Sequence, residues 1–276
     1  MTFIIYISII VSLILIVGGW IIYQKMIIKE MYKPSKKLNS TLLQPSILTY
    51  NIQKFPWSFK SIKKIAELFD THSIILIQEC YDELFSSLES YFPHYYICRG
   101  TMKGISLVNS GLAILSKYPI VKNTFIPYKN YNSSTYDCLT EKGFLHTTID
   151  IDGKIVNIVN THMQSCDYER YDTNAFLQMK ELLAYSETLN EPYIIGGDFN
   201  IDIQDFKIRY KLLVYSPTDP TIYINFKTSK SKSTPSDGYE GLIFDYFITS
   251  NNVKMNPLTI SSPYSDHNPV SSKIEF

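Results

Sequence analysis

The segment YIIGGDFNID, residues 193–202, decides the fold. It opens with apolar and small residues from Tyr193 to Gly197, which predict a buried strand that ends where Asp198 and Asn200 emerge. In an extended backbone these two polar side chains lie on the same face. A carboxylate and an amide behind a pair of glycines are typical of a site at which the backbone approaches a phosphate or a hydrated metal ion. A simple turn is the alternative, because Gly, Asp and Asn are common turn residues.

Polar side chains also terminate or interrupt apolar runs elsewhere in the chain. The further examples are Asn51 in SILTYNI, Glu79 in SIILIQE, His162 in KIVNIVNTH, Asp245 in IFDYF, and the pair Asp266 and His267. One such group is usually a cap or a satisfied, partly buried side chain, but their recurrence favours a shared site. Carboxylates, imidazoles and amides without cysteine favour a hard divalent cation such as Mg²⁺ over zinc. Hydrolysis of a metal-bound phosphate needs an activated water, a base and donors for developing charge, and this set supplies candidates for each.

Residues 1–45 differ in composition from the rest of the chain. Residues 3–23 carry no charge, and a helix of this length spans about 30 Å, the thickness of a bilayer core. We predict a transmembrane signal anchor over residues 1–24 and a basic juxtamembrane linker over residues 25–45. A cleavable signal peptide is the alternative, but the chain lacks a basic segment before the apolar run.

Lysines follow the apolar run, from Lys25 to Lys37, and none precedes it. By the positive-inside rule this asymmetry predicts a single-pass membrane protein whose C-terminal domain is cytosolic. The same lysines could contact anionic lipids of the bilayer, or they could form a plain stop-transfer flank.

The remaining chain, residues 46–276, predicts one α+β domain. Amphipathic helices are predicted from residue 58, over 82–91 and over 173–187, while strands are more numerous and an Asp152-Gly153 turn indicates a hairpin. Helices would therefore cover the outer faces of packed sheets. Removing residues 1–37, with five basic residues and one acidic residue, from 26 of each leaves a formal charge of about −4. Only three arginines are present, so nucleic acid is a disfavoured partner.

The order of the motifs resembles that of the endonuclease/exonuclease/phosphatase superfamily from about residue 46 to the end. The matching motifs are TYNI, IQE, NTH, GGDFN, DYF and SDHNPV. The resemblance implies a four-layer sandwich of two packed mixed β-sheets flanked by helices, with residues 46–276 as a phosphodiesterase catalytic domain. Within the superfamily, SGLAILSKYPI, NTHMQS and YDCLTEKGF resemble segments of neutral sphingomyelinases.

The resemblance implies a metal side and a base side for the site. Glu79 would ligate Mg²⁺, or Mn²⁺ in its place, with Asn51 supporting the metal and the phosphate. His267 would be the general base on the attacking water, oriented by Asp245, and Asp266 would help to hold the site. With an ordinary pKa of about 6.5, such a base predicts activity that rises through neutral pH.

The resemblance implies a phosphate side as well. Asp198 and Asn200 would position water and a phosphoryl oxygen, while His162 and Lys142 would contact the phosphodiester. Asp137, five residues before Lys142, resembles the partner of this lysine in the switch pair of membrane-associated neutral sphingomyelinases. A solvated loop pair worth less than about 1 kcal/mol is the alternative.

From these patterns we expect a membrane-anchored, Mg²⁺-dependent phosphodiesterase of the phospholipase C type. Its membrane lipid substrate would be sphingomyelin, or a lyso-phosphocholine lipid, cleaved to phosphocholine and ceramide or the corresponding lipid alcohol. Two alternatives stay open: a nuclease of the DNase or abasic-site type from the same superfamily, and a catalytically inactive, membrane-tethered binding module.

Overall fold

Two mixed β-sheets form the centre of the computed structural model. The structure describes residues 2–27, 31–33, 44–54, 62–81, 88–101, 108–130, 139–165, 174–189, 192–203 and 242–276. The strands of the first sheet are β1 (Met31–Tyr32), β2 (Ser46–Lys54), β3 (Ile74–Cys80), β4 (Tyr96–Arg99), β5 (Ala113–Ser116), β11 (Lys254–Met255), β12 (Leu258–Thr259) and β13 (Val270–Glu275). Those of the second sheet are β6 (Ile120–Pro127), β7 (Gly143–Ile151), β8 (Lys154–His162), β9 (Tyr193–Asp198) and β10 (Asp245–Thr249).

The strand order explains why both sheets are mixed. Over the described residues, the first sheet has the order β1-β4-β5-β3-β2-β13-β11, with β12 beside β13, and the second has the order β10-β9-β8-β7-β6. In each sheet one parallel pair lies among antiparallel neighbours, β2 with β3 in the first and β8 with β9 in the second. The predicted hairpin joins β7 and β8, and both Asp152 and Gly153 have positive φ, as a two-residue hairpin turn requires.

The alternation of side chains along the strands gives three apolar layers. Ile47, Leu76 and Ile114 of the first sheet meet Ile158 and Ile194 of the second sheet in the central core. Because successive residues of a strand face opposite sides, their neighbours in sequence face outward and pack against helices. The architecture is therefore the predicted four-layer sandwich. In the part of the chain that the structure describes, helices cover both outer faces of the pair of sheets.

Each outer face is covered by an amphipathic helix. Helix α2 (Ile62–Asp70) packs Ile65 and Phe69 on the first sheet, and helix α3 (Asn174–Ser186) packs Met179 and Leu182 on the second. Both helices were predicted from their apolar spacing. A helical turn from residue 88 to 91 is the described end of the helix predicted over 82–91.

The apolar run of residues 110–121, which the sequence alone suggests is one strand, forms parts of two strands. The chain leaves β5 after Ser116 and enters β6 at Ile120, so the two parts belong to different sheets. Pro119 lies in the connection, where its missing N–H costs no ladder hydrogen bond. The Ser116 hydroxyl group stabilises the turn, since it accepts the N–H of Tyr118 at 3.0 Å and donates to its carbonyl at 2.8 Å.

The N-terminal prediction requires a correction. Helix α1 is Thr2–Ile27, and its described side chains are those of residues 6–20 and 22. A membrane crossing needs about 20 consecutive apolar residues. Within the described residues, none of the helices combines the length and the hydrophobicity that a crossing requires. The transmembrane anchor and the contact of Lys25 to Lys37 with anionic lipids are thus unsupported, and the predicted localisation as a single-pass membrane protein with a cytosolic domain is wrong.

Candidate active site

The second sheet gathers four of the predicted site residues at one edge. His162 ends β8 and pairs in register with Asp198 at the end of β9, and Asp245 at the start of β10 pairs with Asp198 from the other side. Gly143, at the start of β7, pairs with His162, which places Lys142 beside it. All four side chains are buried. Adjacent strand ends, far apart in sequence, thus form a row of two carboxylates, an imidazole and an ammonium group.

Asn51 joins this row to the first sheet. Its side-chain amide donates to Glu79 Oε1 at 3.0 Å and to Asp198 Oδ2 at 3.0 Å. Asn51 ends the apolar part of β2 and Glu79 lies at the end of β3, the parallel neighbour of β2. One amide group therefore binds both Glu79 of the first sheet and Asp198 of the second, in the cleft between the sheets.

His267 completes the cleft from the loop before β13. Its Nδ1 lies 2.7 Å from Asp245 Oδ2, and its Nε2 lies 3.7 Å from Asp198 Oδ2. The carboxylate of Asp245 accepts the Nδ1–H, so Nε2 is the ring nitrogen that can accept a proton. Burial alone would lower the pKa of His267, but Asp245 and Asp198 outweigh it and raise the pKa to about 10. The pKa of His267 is therefore higher than the ordinary imidazole value that was expected from the sequence.

The carboxylates of the cleft differ in their proton affinity. Burial raises the pKa of Glu79 to about 6, against the lowering effect of the Asn51 hydrogen bond. Burial likewise raises the pKa of Asp245 to about 6, although His267 lowers it. For Asp198, burial alone would raise the pKa, but His267 and His162 outweigh it and lower the pKa below its ordinary value. Asp198 is therefore the carboxylate that stays ionised most readily.

His162 and Lys142 form the cationic side of the cleft. Lys142 Nζ lies 3.2 Å from His162 Nε2 and donates to the carbonyl of Met163 at 3.3 Å. His162 Nε2 is also 3.6 Å from Asp198 Oδ2. Asp137, the predicted partner of Lys142, lies outside the described residues.

Comparison with known proteins assigns the family. The model of the Endonuclease/Exonuclease/phosphatase family matches residues 48–267. The chain belongs to this family. Its members are hydrolases that act on phosphodiester bonds. The family model ends at His267 and therefore includes every predicted site residue.

Two relatives of this chain are named as sphingomyelinases. Sphingomyelinase C 2 of Leptospira interrogans is 23% identical over 295 aligned positions, which cover 85% of this chain and 47% of that protein. Sphingomyelinase C of Listeria ivanovii is 25% identical over 241 positions, covering 74% of this chain and 68% of that protein. The chain thus spans about half the length of the Leptospira relative.

Several solved structures have the same fold. Beta toxin from Staphylococcus aureus aligns with a TM-score of 0.64 at 20% identity, covering 83% of this chain and 99% of that chain. A variant of that toxin, solved with bound magnesium ions, aligns with a TM-score of 0.57 at 20% identity and the same coverage. TDP2 of D. rerio, solved with a single-strand DNA product, aligns with a TM-score of 0.62 at 14% identity, covering 85% of this chain and 100% of that chain.

Two residues that the sequence did not single out hold the family motifs in place. Gln53 donates from Nε2 to Asp266 Oδ2 at 2.7 Å, so Asp266 is fixed to the end of β2. The hydroxyl group of Ser265 donates to the Asn51 carbonyl at 2.7 Å and accepts the His267 N–H at 3.2 Å. Their proximity in sequence to Asn51 and Asp266 was the available signal. Together they attach the loop of His267 to the strand end of the metal side.

The backbone is strained around the cleft. Among the described residues, the non-glycine residues with positive φ are Gln53, Glu79, Asp152 and Asn200, and all except the hairpin residue Asp152 belong to the site. Such conformations cost on the order of 1–3 kcal/mol each and cluster where a fold must aim a functional side chain. Asn200 is held by its N–H, which donates to Asp198 Oδ1, and by its side chain, which donates to the Met163 carbonyl, each at 2.9 Å.

The paired glycines before Asp198 have a different role from the predicted one. The sequence suggested that they let the backbone approach a ligand, but protein atoms already fill that space. A Cβ atom on Gly196 would lie 2.7 Å from side-chain atoms of Leu76 and Phe247, and one on Gly197, which has a φ of 148°, would lie 2.0 Å from the Thr161 carbonyl oxygen. The glycines therefore permit close packing of the sheets and of β8 on β9.

We expect Gly197→Ala to destabilise the fold by about 3 kcal/mol, because the new Cβ must displace the backbone of β8. For a domain of this size, thermal unfolding would shift downward by about 6–12 °C. Gly153→Ala is the matched control, since Gly153 also has positive φ, yet a Cβ there meets nothing within 4 Å. Equal losses of melting temperature in the two variants would contradict the packing explanation.

The donor set of the cleft fits a divalent cation. Glu79 Oε2 is buried and has no hydrogen-bond partner among the described residues, which suits an oxygen ligand of Mg²⁺. A second group, Asp198, Asp245 and His267, presents ligand atoms within 4.8 Å of one another. In that group, however, His267 Nδ1 and Asp245 Oδ2 already share a 2.7 Å hydrogen bond, so a cation would have to take Asp245 Oδ1 and His267 Nε2, the ring nitrogen that can accept a proton. The Glu79 side of the cleft is therefore the better metal candidate.

Proposed function

We propose that this protein is a Mg²⁺-dependent phosphodiesterase of the phospholipase C type that hydrolyses a phosphocholine lipid. The observation that carries the proposal is the meeting of Glu79, Asp198 and His267 in one cleft, through the Asn51 amide and the 3.7 Å approach of His267 to Asp198. Glu79 and Asp198 come from strands of different sheets, and His267 comes from the loop before β13. A metal ligand, an ionised carboxylate and a base thus lie within reach of one phosphate group.

In the proposed reaction, His267 takes a proton from the attacking water at Nε2. Asp245 accepts the Nδ1–H, which fixes the ring orientation and stabilises the imidazolium form after proton transfer. Asp198 and Asn200 position the water and a phosphoryl oxygen. Asp266, held by Gln53, keeps the loop of His267 in place.

The phosphate binds between the metal side and the cationic side. Glu79 would hold Mg²⁺, with Mn²⁺ as a substitute, and Asn51 would orient its carboxylate. A cation held there would supply positive charge that polarises the phosphoryl oxygens. Lys142 and His162 contact the phosphodiester from the other side, where the ammonium group offsets negative charge that develops on the nonbridging oxygens.

The names of the relatives support the choice of substrate. Both relatives compared above are sphingomyelinases, and the segments SGLAILSKYPI, NTHMQS and YDCLTEKGF of this chain resemble that group. Sphingomyelin and lyso-phosphocholine lipids share the phosphocholine group on which this proposal depends. The products would be phosphocholine and ceramide or the corresponding lipid alcohol.

A substrate panel tests the proposal directly. We expect the purified chain to release phosphocholine from labelled sphingomyelin in the presence of Mg²⁺, with less release from ethanolamine and inositol phosphodiesters. EDTA should abolish the release, and Mn²⁺ should restore part of it. Nicked and abasic DNA are the controls for a nuclease. Cleavage of DNA without lipid hydrolysis would contradict the proposal in favour of a nuclease, and turnover of no phosphodiester would indicate a binding module.

A further inference from the structure

A buried amide of the second sheet contacts the first sheet directly behind the site. Asn160 lies on β8 two residues before His162, so the two side chains lie on the same face of the strand. Asn160 is fully buried, and its Nδ2 donates to the carbonyls of Ile77 at 2.8 Å and Ala113 at 2.9 Å. Both acceptors belong to the first sheet. The Asn160 side chain therefore connects β8 of the second sheet to the backbone of the first sheet across the apolar core.

The two carbonyls mark the point at which the first sheet becomes irregular. Ile77 and Ala113 are the last register pair of β3 and β5, and the next backbone hydrogen bond runs from Cys80 to Gly111 at 2.8 Å. Across β2 and β3 the register shifts at the same point. Asn51 pairs with Gln78 and Lys54 with Cys80, so Ile52 and Gln53 of β2 stand opposite Glu79 alone. This is a β-bulge, a device that turns a side chain away from the regular alternation of a strand. Glu79 lies at this bulge, and its φ of 54° is a strained conformation.

Gln78 extends the network to a third strand of the first sheet. Its Nε2 donates to Asn160 Oδ1 at 2.7 Å and to the hydroxyl group of Thr49 on β2 at 3.0 Å. Thr49, Gln78 and Asn160 all have 0% exposure. Strands β2, β3, β5 and β8 therefore meet in one polar network, and three of them, β2, β3 and β8, carry Asn51, Glu79 and His162.

We propose that Asn160 is a positioning residue for Glu79. By holding the bulge from the opposite sheet, and by orienting Gln78 beside it, Asn160 fixes the Glu79 carboxylate relative to His162 and Asp198. Apolar side chains of similar size could pack two sheets together, but they would set no direction for the bulge. The inference rests on the proposed function, because it takes Glu79 as the ligand of the cation.

The test measures binding of Mg²⁺ alone to the full chain by titration calorimetry. In Asn160→Leu, which keeps the approximate shape and removes both donors, we expect Mg²⁺ affinity to fall by about 10- to 100-fold. The matched control is Asn157→Leu on the same strand. Asn157 is buried on the opposite face and accepts hydrogen bonds from His146 and Thr148, so it has a comparable structural role away from the site. The Asn157→Leu substitution should leave the Mg²⁺ affinity within about twofold of that of the original protein.

Two further variants, Gln78→Met and Glu79→Gln, allow the inference to be tested even if Asn160→Leu does not fold. If Asn160→Leu does not fold, Gln78→Met should weaken Mg²⁺ binding by about tenfold, because it removes the contact with Asn160 from the residue beside the bulge. Unchanged affinity in the folded Asn160→Leu or Gln78→Met protein, with binding lost in Glu79→Gln, would overturn the inference and leave the proposed function intact. Equal weakening by Asn157→Leu would also overturn it. Unchanged binding in Glu79→Gln would overturn the proposed metal ligand itself, and the inference with it.

Discussion

Replacing Glu79 by Gln should remove Mg²⁺-dependent phosphodiesterase activity almost completely. Gln has the same shape and can still accept the Asn51 hydrogen bond, so the substitution isolates the loss of the negative charge. A metal ion contributes several kcal/mol to the stabilisation of charge in such a transition state, and about 4 kcal/mol corresponds to about a 10³-fold loss of rate. Phosphocholine release at saturating lipid and graded Mg²⁺ measures the effect.

The control for this variant is Glu67→Gln on α2, an exposed carboxylate far from the cleft. It should keep both activity and Mg²⁺ dependence. Activity of Glu79→Gln within tenfold of the original protein would show that the cation binds elsewhere, for example at Asp198, Asp245 and His267. Unchanged lipid turnover without Mg²⁺ dependence would instead indicate that the protein acts without this metal site.

The site could be predicted because strand ends carry information about proximity. An apolar run of strand length that stops at a polar residue places that residue at a sheet edge, and the parallel pairs β2/β3 and β8/β9 bring such edges together. Glu79 and Asp198 were found in this way, one from each sheet. Packed sheets with helices on their outer faces could be predicted from the same runs, since helices with one apolar stripe need a sheet face to cover, whereas the four-layer arrangement was implied by the family resemblance.

Other features depend on contacts that no local pattern records. Asn160 and Gln78 lie inside apolar runs, where a polar residue looks like an exposed position of a strand, yet both are fully buried and bonded across the sheets. The positive φ of Glu79 gave no signal either, because no glycine marks it. The paired glycines were given a ligand-binding role although their true neighbours, such as Thr161, lie on another strand. In each case the partner is remote in sequence.

Replacing His267 by Gln should lower kcat by about 10²- to 10⁴-fold, the usual contribution of a general base. Gln keeps a hydrogen-bonding group near Asp245 but cannot take a proton from water. His72→Gln is the matched control, since His72 is also a buried histidine but bonds to Ser271 on β13, outside the cleft. Its activity and pH profile should be unchanged. A His267→Gln protein with near-normal kcat would exclude the imidazole as the base.

The pH profile distinguishes a base from a merely structural histidine. His267 acts when neutral, so activity should rise with pH, and the acid limb should be displaced upward because Asp245 and Asp198 raise the pKa of the imidazole. The Asp245→Asn variant loses one of the two carboxylates that raise the pKa of His267, while burial still lowers it. The acid limb of this variant should therefore move to lower pH. Its maximal rate should fall. Because a catalytic cation near the ring would lower the pKa in both proteins, the comparison depends on the direction of the shift. An acid limb at the same pH in both would mean that Asp245 does not act through His267.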